Sequence, residues 1–206
     1  MQRNIFGAKP MKNKPLQLFF NEIQACKKCK LCNEAMNIKK GKLPGAGYEN
    51  ADTFMIGLSC GWYREKEIFA GTPFNIFIEE INQCESNVGA GTKRILLELL
   101  EVMEIEKKDL YITNLIKCSP PKDREPTYTE IVACLHWLRK EILAVEPKKI
   151  ICLGTKVSEC FRLHPISSEK RERTVIVSIY HPGFFLRSGR KDLYDKIRKE
   201  VKKYEL

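Results

Sequence analysis

Cys26, Cys29 and Cys32 fall at C-x2-C-x2-C spacing in "CKKCKLC", and Cys118 and Cys134 form a second, distant pair. Four thiolates drawn from two places in a chain hold either zinc or a [4Fe–4S] cluster. Zinc sites usually join two tight knuckles. Here fifteen residues separate Cys118 from Cys134, a split that a cluster tolerates better. The bland alternative makes Cys118 a strand end and Cys134 a core residue of its helix. The chain has nine cysteines, an odd number, and in a reducing compartment clustered thiols bind metal more often than they form disulfides. Cys152 in "KKIICLG" and Cys160 in "VSECF" read as small core residues.

A second group of chemically able residues gathers at strand ends. "TFMIGL", "DLYITNLI", "KKIICLG" and "TVIVSIY" read as short, continuous apolar strands, and they run out into "GLSCG", "TNLIKC", "LGTK" and "YHPG". Between them "TKRILLELLEVM" and "TKVSECFRL" have helical spacing, and "TYTEIVACLHWLRKEILAV" is the strongest helix. Thr127 or Thr129 can cap that helix, and Glu130 stands three after Thr127, as a capping box requires. Pro120 and Pro121 stop the preceding strand. Upstream, "LQLFFNEIQAC" has helical spacing, "NIFIEEINQCESN" reads as a short helix, and "KDLYDKIRKEVKKYEL" as a basic amphipathic terminal helix. Strands alternating with helices imply a parallel sheet covered on both faces, whose sites lie at the carboxyl ends of the strands. Asn114 and His181 fall on that edge. No repeat or linker divides the chain, so residues 1–206 are expected to form one domain, with 1–20 and 195–206 peripheral.

A formal charge of +10 favours a polyanionic partner, nucleic acid before membrane. No run approaches the roughly 20 apolar residues of a membrane span, and the basic N-terminus lacks the apolar core of a signal peptide. A cytoplasmic, monomeric protein without membrane contact is the expectation.

Seven stretches in order carry a family resemblance: "CKKCKL", "GAGYENADTFMIG", "GTPF", "VGAGTKRILLELL", "YITNLIKCSPPKDREPTYTEIVACLHWLRKEI", "PKKIICLG" and "YHPGFFLR". The chain resembles the iron–sulfur uracil-DNA glycosylases, chiefly the type 4 group, with some likeness to type 5. The resemblance implies a three-layer α/β/α fold with a short, mostly parallel, four-stranded sheet. It also implies a [4Fe–4S] cluster on Cys26, Cys29, Cys118 and Cys134, leaving Cys32 out, with zinc the lesser alternative. The proline-stiffened loop between Cys118 and Cys134 would then be pinned at both ends and lie along a DNA backbone, with Lys117, Lys122 and Arg124 near phosphates.

The same resemblance distributes the chemistry. Phe74 would stack on a flipped uracil, and Asn114 would read its edge through a bidentate amide. Gly57 and Leu58 would line the same pocket. His181 would donate to uracil O2 as negative charge develops on the departing base. Phe184, Phe185 and Leu186 offer an apolar plug for the vacated stack, and Arg187 and Arg190 phosphate contacts. The activity implied is hydrolysis of uracil, or of related deaminated bases, from DNA, leaving an abasic site. No lysine occupies a matched catalytic position, so no strand cleavage is implied.

The match departs at the first strand end. Type 4 proteins resemble G-E-x-P-G there, whereas this chain has Gly57-Leu58-Ser59-Cys60-Gly61. Type 5 proteins also carry leucine at that position. Glu65 and Glu67 in the longer loop that follows are the candidates to bring a carboxylate to C1′. Two other readings remain at this point: a lesion-binding protein on the same fold with little cleavage, and an iron–sulfur electron carrier, which leaves Asn114 and His181 without a task.

Overall fold

Each of the four apolar runs forms a strand, and all four run parallel. In the computed structural model, residues 18–36, 42–59, 88–165, 174–182, 184, 195 and 198 are described. The strands are β2 (Thr53–Ser59), β3 (Leu110–Ile116), β4 (Lys149–Leu153) and β5 (Val175–Ile179). A fifth, β1 (Ala46–Gly47), pairs antiparallel with β3 and gives the sheet order β1-β3-β2-β4-β5. The expected four-stranded sheet therefore gains a two-residue edge. Its cause is local. A Cβ on Gly45 would meet Tyr111 Cε1 at 2.5 Å, and one on Gly47 would meet the Leu110 carbonyl oxygen at 2.3 Å. Only glycines let this segment lie so close against β3.

Alternation along the strands splits the core into two layers. Met55, Leu110, Ile112, Ile151 and Val177 face helix α3 (Val88–Val102). Phe54, Ile56, Tyr111, Ile150 and Cys152 face helices α4 (Tyr128–Val145) and α5 (Thr155–Leu163). The arrangement is the three-layer α/β/α fold expected from the sequence. Leu99 of α3 and Leu138 of α4 are both almost fully buried, and truncating either to alanine should cost about 2–5 kcal/mol. Two short helices, α1 (Phe20–Ala25) and α2 (Leu31–Met36), flank the first cysteines.

Helix α4 begins as its sequence requires. Thr127 Oγ1 accepts from the Glu130 N–H, and the Glu130 carboxylate accepts from the Thr127 N–H at 2.8 Å, a capping box worth about 1 kcal/mol. Among the described residues, no helix is long and apolar enough to cross a membrane.

Candidate active site and thiol subsite

The parallel sheet reverses its winding at β2, between β3 and β4, and the carboxyl edge around that point carries the candidate site. Gly57 pairs with Asn114 across β2 and β3. A Cβ on Gly57 would lie 2.3 Å from Asn114 Oδ1. The Asn114 amide therefore lies over a residue with no side chain, and any other residue at 57 would displace it. Asn114 is 8% exposed, so its amide is held by burial as well as by register.

Behind Asn114 lies a buried polar network. Lys117 Nζ donates to the Asn114 carbonyl oxygen at 2.8 Å, to Thr113 Oγ1 at 2.5 Å and to Glu141 Oε2 at 2.6 Å. Glu141 also accepts from Thr113 Oγ1 and from the Gly45 N–H, both at 2.9 Å. Both side chains are essentially buried, at 2% and 0% exposed. This corrects the expectation for Lys117. Its ammonium is not at the surface for a phosphate but neutralised inside, where it fixes the backbone of Asn114. Glu141 was readable in the sequence: it stands three after Leu138 and four before Val145, on the apolar face of α4.

Lys122 is exposed within the 3-10 turn Pro121–Asp123. Arg124, the third expected phosphate contact, makes a bidentate pair with Glu130 at 2.7 and 2.9 Å and reaches Glu34 at 3.0 Å. Its guanidinium is committed to protein carboxylates and clamps the loop to α2 and to the start of α4. Hydrogen bonds from Arg124 hold the Glu130 carboxyl at about 2, below its ordinary 4.5.

Leu58 points the other way from Gly57 and Asn114. It is half-buried and packs against the core layer under α4 and α5. Leucine at this position thus extends that layer on the face opposite the amide.

His181 follows β5 and is exposed; a Cβ on Gly154, at the end of β4, would lie 3.5 Å from its Cβ. By register Asn114, Gly57, Leu153 and Ile179 stand at one level, so His181 lies two residues further out. The β3 and β5 axes are three strand spacings apart, about 14 Å, room for a nucleobase between the two side chains. Tyr180 and Phe184 stack next to His181, with ring centroids 4.9 Å apart, and both are exposed. His136 caps back onto the Ala133 carbonyl and His164 meets Tyr128; neither joins this edge. Glu65, Glu67, Phe74, Phe185, Leu186, Arg187 and Arg190, like Cys60, lie outside the described residues.

The thiols of both cysteine groups converge on one side of β3. Cys118 packs with Leu31 and Ile116, and Cys29 and Cys134 lie against them. All are free thiols. Burial pushes the Cys118 thiol well above its ordinary value, with the neighbouring Cys134, Cys29 and Cys26 adding to the rise. Burial likewise pushes Cys134 up to about 11, opposed by Lys117. The Lys117 backbone N–H donates to Cys134 Sγ at 3.4 Å. Among the described residues, no group of three or more His, Cys, Asp or Glu side chains is arranged to hold a metal ion. The subsite is a set of desolvated sulfur donors with a backbone donor already aimed at one of them.

Residues 44–203 match the family described as the uracil DNA glycosylase superfamily. The chain is 34% identical over 139 residues to the type-4 uracil-DNA glycosylase of Saccharolobus solfataricus, covering 68% of this chain and 55% of that protein. It is 30% identical over 180 residues to the type-4 enzyme of Archaeoglobus fulgidus, covering 80% of each. A shorter stretch of 50 residues, 24% of this chain and 22% of the relative, is 46% identical to the type-5 uracil-DNA glycosylase of Pyrobaculum aerophilum. The chain spans about half the length of the Saccharolobus relative. With the fold, the strand-end asparagine and the matched stretch together, this chain belongs to the uracil DNA glycosylase superfamily.

Proposed function

We propose that the chain hydrolyses the N-glycosidic bond of uracil in DNA and leaves an abasic site, without cutting the strand. The observation that carries this reading is the Asn114 amide, buried at a strand end over Gly57 and backed by Lys117. An amide donates to uracil O4 and accepts from N3–H. Cytosine presents the reversed pattern and leaves both groups unpaired, a costly mismatch in a buried site. The C1′–N1 bond breaks with its electron pair passing to the base. His181 donates to O2, where that charge collects. Water adds to C1′, and the proton it gives up ends on the uracil anion, leaving neutral uracil and an abasic sugar.

The same proposal gives Cys26, Cys29, Cys118 and Cys134 a [4Fe–4S] cluster. Cys29, Cys118 and Cys134 gather in one apolar cluster with a backbone N–H on Cys134 Sγ, and soft sulfur donors of this kind suit that group. When bound, the group would supply a crosslink between the α1–α2 segment, the residues after β3 and α4 itself, and the hydrolysis needs no electrons from it. Of the residues expected at DNA, Lys122 and Phe184 are exposed, and Tyr180 stacks on Phe184.

The test is single-turnover release of uracil from matched oligonucleotides carrying uracil, thymine or cytosine at one position, with abasic product revealed by alkali. Product from the uracil strand alone supports the reading. Product from none, with the labelled DNA still bound, supports a second reading. In that reading the protein recognises lesions without excising them. Leucine instead of a carboxylate at position 58, packed against the core layer, favours it.

A further inference from the structure

Among the described residues two lysines are buried, and one of them is paired with a carboxylate. Lys117 is paired with Glu141 at 2.6 Å. Lys42 is 3% exposed, and its Nζ donates to two backbone carbonyls, that of Gln24 at 2.8 Å and that of Cys26. Among the described residues, no carboxylate meets it. Carbonyl dipoles orient an ammonium but do not cancel its net charge, and an isolated buried cation is strongly disfavoured.

The placement of Lys42 is built from both sides. Its backbone bridges Cys118 in an antiparallel pairing, and the next residue, Leu43, donates to the Lys117 carbonyl. The Gln24 side chain receives the Lys42 backbone, accepting from its N–H at 3.4 Å and donating to its carbonyl oxygen. The side chain then turns back to the carbonyl of Cys26. Lys42 thus ties one cysteine of the first group to one of the second, its ammonium on the Cys26 carbonyl and its backbone bridged to Cys118. Groups that could carry the missing negative charge are the thiols themselves.

We propose that Lys42 is the built-in counter-cation of the four-thiolate site. This rests on the iron–sulfur reading above. Four thiolates around a [4Fe–4S] core give a net anion, and a fixed positive charge beside it favours the reduced, more negative state over the oxidised one. Lys42 therefore raises the reduction potential and slows loss of the group, while its bonds to Gln24 and Cys26 hold the first cysteine segment against Cys118.

The experiment compares anaerobically purified wild type, Lys42→Gln and Lys42→Arg. It measures iron and sulfide content, reduction potential by voltammetry, and the rate of iron release to a chelator, with circular dichroism as the folding control. Glutamine keeps N–H donors and removes the charge; arginine keeps the charge. The expected result is a negative shift in potential and several-fold faster iron release in Lys42→Gln, with Lys42→Arg close to wild type. Lys42→Gln isolated without iron while Lys42→Arg retains it supports the proposal equally. A folded, loaded Lys42→Gln with wild-type potential and release overturns it, as does equal loss of iron from both variants. Wild type without iron and sulfide overturns the cluster reading itself, and this proposal with it.

Discussion

The two ends of the carboxyl edge are built on opposite plans. At β2 and β3 everything is buried and over-determined: a glycine that must be glycine, an amide above it, and an ion pair fixing that amide's backbone. At β4 and β5 the chemistry stands in solvent: His181 is exposed, and Tyr180 and Phe184 stack on each other at 45% and 43% exposure. Reading a base edge demands fixed geometry and the exclusion of water, whereas meeting a DNA strand demands surface. On the proposed reading, specificity and engagement fall to separate strands. The reading half is also the half wired to the thiols, because Lys117 joins the Asn114 carbonyl by its ammonium and Cys134 by its backbone N–H.

Breaking the buried half should cost most. Glu141→Gln leaves Lys117 without its anion and should lower stability by about 3–5 kcal/mol, measured by chemical denaturation. Removing both charges in Lys117→Met/Glu141→Leu should cost less than the sum of the single changes, since no uncompensated charge remains.

Next in size is the amide itself. Asn114→Ala should reduce the rate of uracil release by about 100- to 1,000-fold with little change in fold. Gly57→Ala should do nearly as much, because its methyl would fall 2.3 Å from Asn114 Oδ1. The double variant should be no worse than Asn114→Ala alone. Additive losses would mean that Gly57 acts on something other than Asn114.

The open half should behave differently. His181→Ala should slow release by about 10- to 100-fold, while denaturation midpoints stay within about 0.5 kcal/mol of wild type, as for other exposed positions.

The smallest effect belongs to the Arg124 clamp, which holds the loop rather than the amide. The Glu130 carboxyl titrates at about 2 in the folded protein against an ordinary 4.5. A depressed folded value stabilises above the unfolded one, and the gain fades as pH falls from about 4.5 towards 2. Arg124→Ala should therefore lower stability by about 1–2 kcal/mol at neutral pH. The gap to wild type should close over that acid range in denaturation curves.

Much of this was legible in the sequence. The four parallel strands announced themselves as continuous apolar runs, and of the two candidate caps, Thr127 and Thr129, the structure uses Thr127, the one with Glu130 three residues on. The strand β1 was not, since two residues among glycines carry no periodicity. Lys117 and Arg124 were misplaced for one reason: a charge beside prolines in a polar loop looks solvated, and their carboxylate partners stand 24 and 6 residues away in chain. Leu58 was judged by its motif position, whereas strand alternation alone puts it on the opposite face from Gly57. Lys42 lies in a Gly- and Lys-rich stretch where nothing in the sequence marks one lysine as buried.

The central claim is that the Asn114 amide, held over Gly57, selects uracil for excision. The most direct test is the single-turnover rate of uracil release by cluster-loaded wild type and Asn114→Ala on the same oligonucleotide. The account predicts abasic product from wild type and a loss of at least about 100-fold in the variant. Equal rates in the two proteins would contradict it.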